Sequence, residues 1–147
     1  MPSATVQQIR RRLATSPIID THDHTNTAGP RYTDPVQVVL GGYFYQDAAK
    51  LSSLEQVEKL KDPEVPLEQR WPLLQRLWES ARFTGFGRVT AKVLRHFYGE
   101  RELTLDALRR MREKLPDLSD PVVFDRLLGE ANIVTRLVSP VGSEYRQ

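Results

Sequence analysis

The sequence predicts an α/β fold in which two short parallel strands flank a long run of helices. Three observations predict it. A β-branched run follows a proline at Pro17-Ile18-Ile19-Asp20. A second, Ile133-Val134-Thr135-Arg136-Leu137-Val138-Ser139, lies far along the chain. Between Asp34 and Ala131 the apolar residues instead recur at helical spacing. Strands joined through helices favour a parallel connection. The crossover of about 110 residues is several times the usual length, so it reads as carrying an insertion.

Each element has its own local reason. Ser3 is an N-cap for a helix to Ala14, with Val6, Ile9 and Leu13 on one stripe, and Pro17 ends it. Residues 17–21 form the first strand, which leads through Thr21-His22-Asp23-His24 into a loop at Gly29-Pro30. Asp34-Pro35 caps a helix whose stripe is Val36, Val39, Leu40, Tyr43 and Phe44, weakened at Gly41-Gly42. Ser52 or Ser53 opens a short helix bearing Leu54, Val57 and Leu60. Pro66 opens a longer one carrying Trp71, Leu74, Leu77, Trp78 and Ala81. After a break at Thr84-Gly85, Phe86, Val89, Val93, Leu94 and Phe97 continue to Gly99. Thr104 caps a helix with Leu105, Leu108, Met111 and Leu115, which Pro116 stops. Ser119-Asp120-Pro121 caps the last helix, through Val123, Phe124, Leu127 and Leu128. Residues 133–139 make the second strand, with 34–131 as the helical insertion.

Composition bounds the function. The 147 residues suit one domain and are too few for a complete (β/α)₈ barrel, which needs about 250. There is no cysteine, which excludes disulfides, thiolate metal sites and cysteine nucleophiles. Twenty-one Lys and Arg against nineteen Asp and Glu do not make a nucleic-acid-binding balance. The longest apolar stretches are far short of the roughly 20 residues that span a bilayer, and no apolar segment follows Arg10-Arg11-Arg12. The expectation is a cytoplasmic protein acting on a small molecule, with no membrane or nucleic-acid partner.

Asp20-Thr21-His22-Asp23-His24 is the motif with chemical content. In an extended backbone side chains alternate faces, so Asp20, His22 and His24 share one side, about 6.6 Å apart along the strand. Two imidazoles at that spacing can converge on one divalent ion, and Asp20 can join them or orient a histidine through its other ring nitrogen. The alternative is two solvated histidines, or histidines that cap turns. His96, in Leu94-Arg95-His96-Phe97-Tyr98, sits in a helical context and reads as surface or aromatic packing.

Pro17-Ile18-Ile19-Asp20-Thr21-His22-Asp23-His24 resembles the first barrel strand of the amidohydrolase superfamily, metal-dependent (β/α)₈ enzymes whose first strand ends in His-x-His. The layout resembles the amidohydrolase-related, uronate-isomerase-like branch, where a helical insertion precedes the second strand. The close match is confined to residues 17–24, and the rest of the chain matches in layout. The resemblance implies a partial (β/α)₈ barrel made of its first two strands and the insertion, an N-terminal portion of such an enzyme. It implies His22 and His24 as ligands of a divalent metal, zinc being the candidate, and Asp20 stays the residue that can join them. It implies hydrolysis, isomerisation or decarboxylation of a small carbonyl or sugar-acid substrate. The family's later ligands and its late aspartate have no counterpart here, so the chain alone is expected to lack a complete active site. The competing expectation is a small helical protein-interaction module with incidental histidines.

Other signals read as structural. Tyr43, Phe44, Tyr45 and Asp47 form one aromatic cluster and Arg82-Phe83-Thr84-Gly85-Phe86-Gly87-Arg88 another. They could line a pocket whose arginine binds a carboxylate, although core packing and a solvated face are the plainer reading. Gly85-x-Gly87 lacks the context of a phosphate loop. Arg109, Arg110 and Arg112 alternate with Asp106 and Glu113 as on a salt-bridged exposed helix. Sheet edges left by so few strands favour self-association, as in a homo-oligomer.

Overall fold

A computed structural model describes residues 2–23 and 32–138. The chain divides into two compact units, one of Met1–Arg31 with Asp117–Gln147 and one of Tyr32–Pro116.

In the first unit, helix α1 (Ala4–Thr15) is capped by Ser3, whose side chain accepts from the Val6 amide. Strand β1 (Ile18–Asp23) pairs in parallel with strand β2 (Ile133–Val138). Helix α8 (Pro121–Glu130) leads into β2 and packs on it, with the Arg136 guanidinium 4.5 Å from the Phe124 ring centre. Asn132 turns the chain between them in the left-handed region (φ 55°). Its side-chain amide donates to the Ser16 carbonyl at 2.6 Å, and its own carbonyl accepts from Ile18 N–H at 2.8 Å. One asparagine thus sets where the two strands begin to pair. Phe124 is the one buried side chain among the described residues of this unit. Val6, Ile9 and Leu13 are all exposed, so the α1 stripe exists but covers nothing that buries it.

The second unit is helical throughout its described length. Its helices are α2 (Pro35–Leu40), α3 (Phe44–Leu51), α4 (Leu54–Lys61), α5 (Leu67–Ala81), α6 (Gly85–Val93) and α7 (Leu105–Arg112). A π-helical turn, Leu94–Tyr98, continues α6 and stops at Gly99 in the left-handed region (φ 76°). Asp34, Ser53, Thr84 and Thr104 each accept a backbone N–H at a helix start, satisfying one of the orphan donors there. The core is one contiguous cluster running from Val36, Leu40 and Phe44 through Leu74 and Trp78 to Leu108 and Met111. Phe44 meets Trp78 edge-on with ring centres 5.4 Å apart, an arrangement aromatic pairs prefer.

These facts correct the partial (β/α)₈ barrel implied by the resemblance. In a barrel the helices bury their apolar stripes against a sheet. Here the helices of residues 32–116 bury theirs against one another, and the sheet has two strands among the described residues. The fold is mostly helical, with a two-stranded parallel sheet. Two element-level readings also change. Tyr43 is not part of a continuous helix: Gly41-Gly42 separates α2 from α3, and Tyr43 sits half-exposed with φ 72° while Phe44 is fully buried. On α6 the buried residues are Gly87 and Thr90, and Val93 packs on the core with Leu94 buried after it as the stripe predicts, whereas Phe86, Val89 and Phe97 are exposed.

Candidate functional site

β1 runs into the motif as far as Asp23, with Asp20 in the middle of the strand and His22 next to its carboxyl end. Asp20 is half-buried and His22 exposed. The Asp20 carboxylate turns back along its own chain, with Oδ1 accepting the His22 backbone N–H at 3.1 Å. That bond gives Asp20 an Asx-type local role through one of its two carboxylate oxygens.

The strand is irregular at the motif. Asp20 pairs with Arg136 and Asp23 with Val138, so three steps on β1 match two on β2. The extra residue falls within Thr21-His22, and a bulge there breaks strict alternation between Asp20 and its successors. A second shift, of opposite sense, lies between Ile18 and Ile19, where one step on β1 matches two on β2. Bulges of this kind re-aim side chains at strand ends and recur beside active sites.

His24 lies outside the described residues, and so does the loop that follows it. Among the described residues no group of three or more His, Asp or Glu side chains is gathered closely enough to hold a metal ion. Asp20 and His22 are donors of the types zinc accepts, and they are short of a four-ligand set by themselves. His96 is exposed on the π-helical turn and meets Phe97 edge-on at 4.7 Å, far along the sequence from the strand motif.

The two aromatic clusters of the helical unit come together in space. Tyr43 packs on Phe86 with ring centres 5.6 Å apart, and the Thr84 hydroxyl lies 2.6 Å from Asp47 Oδ2 while accepting the Gly87 N–H. The arginines between these aromatics open on a cavity of about 310 Å³ beside Trp78. Sequence spacing alone does not connect Lys92, Arg95 and Arg101 to it.

Comparisons with protein-family models, curated proteins and solved structures give no match to this chain. No helix among the described residues is long and apolar enough to cross a membrane.

Proposed function

We propose that Asp20, His22 and His24 form part of a divalent-metal site, with zinc as the candidate ion, in a metal-dependent hydrolase akin to the amidohydrolase superfamily. The observation that carries the reading is the placement of His22, two residues beyond Asp20, next to the carboxyl end of a strand paired in parallel. Parallel α/β architectures gather their chemistry at that end. The irregular register within Thr21-His22 takes Asp20 and His22 off strict alternation, so the reading rests on their residue types and on the place of His22 near the strand end. A bound ion of this class lowers the pKa of its water towards about 7 and polarises a carbonyl. The substrate class is a small carbonyl compound or sugar acid. With at most three donors and no assigned general base, the 147-residue chain binds metal weakly and does not turn over substrate by itself.

Zinc titration by calorimetry on the wild type and on His22→Ala/His24→Ala tests this. The wild type is expected to give a saturable isotherm that the double variant loses. Indistinguishable, negligible heats from both would overturn the metal site. A second reading, a helical protein-interaction module with incidental histidines, draws support from the self-contained helical core of residues 32–116. It predicts the flat isotherms.

A further inference from the structure

The helical unit has a second concentration of chemistry, unrelated to the strand motif and sharing no residue with it. The cavity beside Trp78 is walled by the end of α5 and the residues after it, by α6, by the π-helical turn and by the loop that follows Gly99. Those segments deliver five cations, Arg82, Arg88, Lys92, Arg95 and Arg101, and one carboxylate, Glu102. Arg88, Lys92 and Arg95 stand at i, i+4 and i+7, the spacing of one helix face. Like charges so placed repel and destabilise the helix that carries them.

Of the cations of this unit away from the cavity, Lys50, Arg76 and Lys114 form no ion pair with a described residue and lie scattered along the sequence, and the other six are paired. Lys59, Lys61, Arg70, Arg109, Arg110 and Arg112 each hold a carboxylate. Arg110 grips Glu100 with two bonds and holds that carboxyl below its usual range. Around the cavity, the ion pair formed among the described residues is the loose one of Arg82 with Glu102, at 4.0 Å. Arg88, Lys92, Arg95 and Arg101 make no ion pair or side-chain hydrogen bond with any described residue. Arg82 in addition has a buried Nε–H with no acceptor among the described residues. The chain as a whole is close to neutral, with 21 basic and 19 acidic residues, so a general basic surplus does not explain the cluster.

The remaining lining is Ala91 and two aromatic side chains. Trp78 is nearly buried at 6 % exposure, while Phe83 is 71 % exposed and carries the Arg82 guanidinium over its ring at 4.8 Å. Stacking holds that planar fork in place. The wall also contains the π-helical turn, a distortion frequent at functional sites. At about 310 Å³ the cavity matches the small end of ligand pockets. From the unpaired cations, the exposed aromatic and this size, we infer that the cavity binds a small phosphate-rich anion of the nucleoside polyphosphate class. Arg88, Lys92, Arg95 and Arg101 take the phosphates, and Phe83 offers a face to the base. Arginine supplies paired N–H donors to phosphate and lysine a point charge.

Calorimetry on the full chain at low salt, with ATP, inorganic tripolyphosphate and adenosine as separate probes, tests the inference. ATP and tripolyphosphate are expected to bind and adenosine not to bind. Raising the salt weakens both phosphates, since exposed charges are screened. Lys92→Glu/Arg95→Glu is expected to weaken ATP at least tenfold with an unchanged melting temperature. Arg88→Ala/Arg101→Ala serves the same purpose if the reversal variant fails to fold. Phe83→Ala is expected to weaken ATP and leave tripolyphosphate unaffected. Absence of binding by both phosphates overturns the site, as does wild-type affinity in a folded cation variant. Binding of a single-stranded oligonucleotide without ATP or tripolyphosphate overturns it in favour of a polymer surface. ATP affinity unaltered by Phe83→Ala overturns the nucleoside assignment.

Discussion

Asp34 shows how much one side chain can organise. It caps α2 by accepting the Val36 N–H at 2.9 Å, and both its oxygens meet Arg70, at 2.9 and 2.8 Å. Arg112 approaches at 3.4 Å, and Arg70 Nη1 also donates to the Leu60 carbonyl at 2.9 Å. The Asp34 and Arg70 side chains are both 2 % exposed, so the pair is desolvated, unlike the exposed Lys59–Glu55 pair. A buried pair contributes little net relative to an apolar pair, but removing one member leaves an uncompensated charge, at about 3–5 kcal/mol. Urea denaturation should therefore find Asp34→Asn and Arg70→Met each destabilised by about that much. The double variant should lose clearly less than the sum, because neither charge remains buried alone. Strict additivity would show that the two residues act separately. Asp34-Pro35 is readable in the sequence as a helix start, because capping is local. Arg70 lies 36 residues away, and nothing local announces that the cap is also half of an ion pair.

At the scale of elements, the caps and helix stops were the legible part. Ser3 and Thr104 cap where the sequence puts them, since each acts within three residues, and of the candidates Ser52 or Ser53 and Ser119-Asp120 the structure takes Ser53 and Asp120. The inward faces were less legible, and α6 shows why. Hydrophobic periodicity assigns the core to the largest apolar residues, which here are Phe86 and Val89. Close approach of two backbones selects the smallest residue instead. A Cβ at Gly87 would overlap the Ala81 carbonyl oxygen and lie 2.7 Å from Arg82 backbone atoms. At Gly85, two residues earlier on the same helix, a Cβ would meet nothing within 4 Å. Alanine gains about 1 kcal/mol of helix propensity over glycine, whereas overpacking against backbone costs about 1–3 kcal/mol. At Gly87 the contact is with backbone that cannot swing away, so the clash outweighs the propensity. Gly87→Ala should lower stability in urea by about 1–2 kcal/mol, and Gly85→Ala should be neutral or mildly stabilising. Equal effects at the two positions would mean that the α5–α6 approach is not tight. The same limit applies to the strand motif. Its residue types and place at a strand end are visible in sequence, but the bulge inside Thr21-His22 depends on how β2 pairs with it.

For the whole molecule, the deciding quantity is where apolar surface is buried. The first unit places Ile19, Val134 and Leu137 on its strands at 61 %, 62 % and 58 % exposure, and its one buried described side chain is Phe124. A two-stranded sheet with so little burial is marginal in water. The second unit buries a connected cluster that includes Phe44, Leu74, Leu77, Leu94, Leu108 and Met111, each at 2 % exposure or less. The resemblance over residues 17–24 pointed to a barrel because a strand motif carries no information about what covers the strand. The helical periodicity between Asp34 and Ala131 carried the information that mattered, and a core closed among helices is what it describes. Stability should follow this division. Segments with few buried apolar contacts open at lower free energy than the core they adjoin. Limited proteolysis of the 147-residue chain should therefore trim residues on either side first and leave a resistant fragment close to residues 32–116. That fragment should keep strongly helical circular dichroism and unfold cooperatively, because its hydrogen bonds and its apolar burial are internal to it. Mass spectrometry of the digest identifies it. Early cuts inside α5 or α7, or simultaneous loss of both units, would place the two in one cooperative structure and overturn the assignment of stability to the helical core.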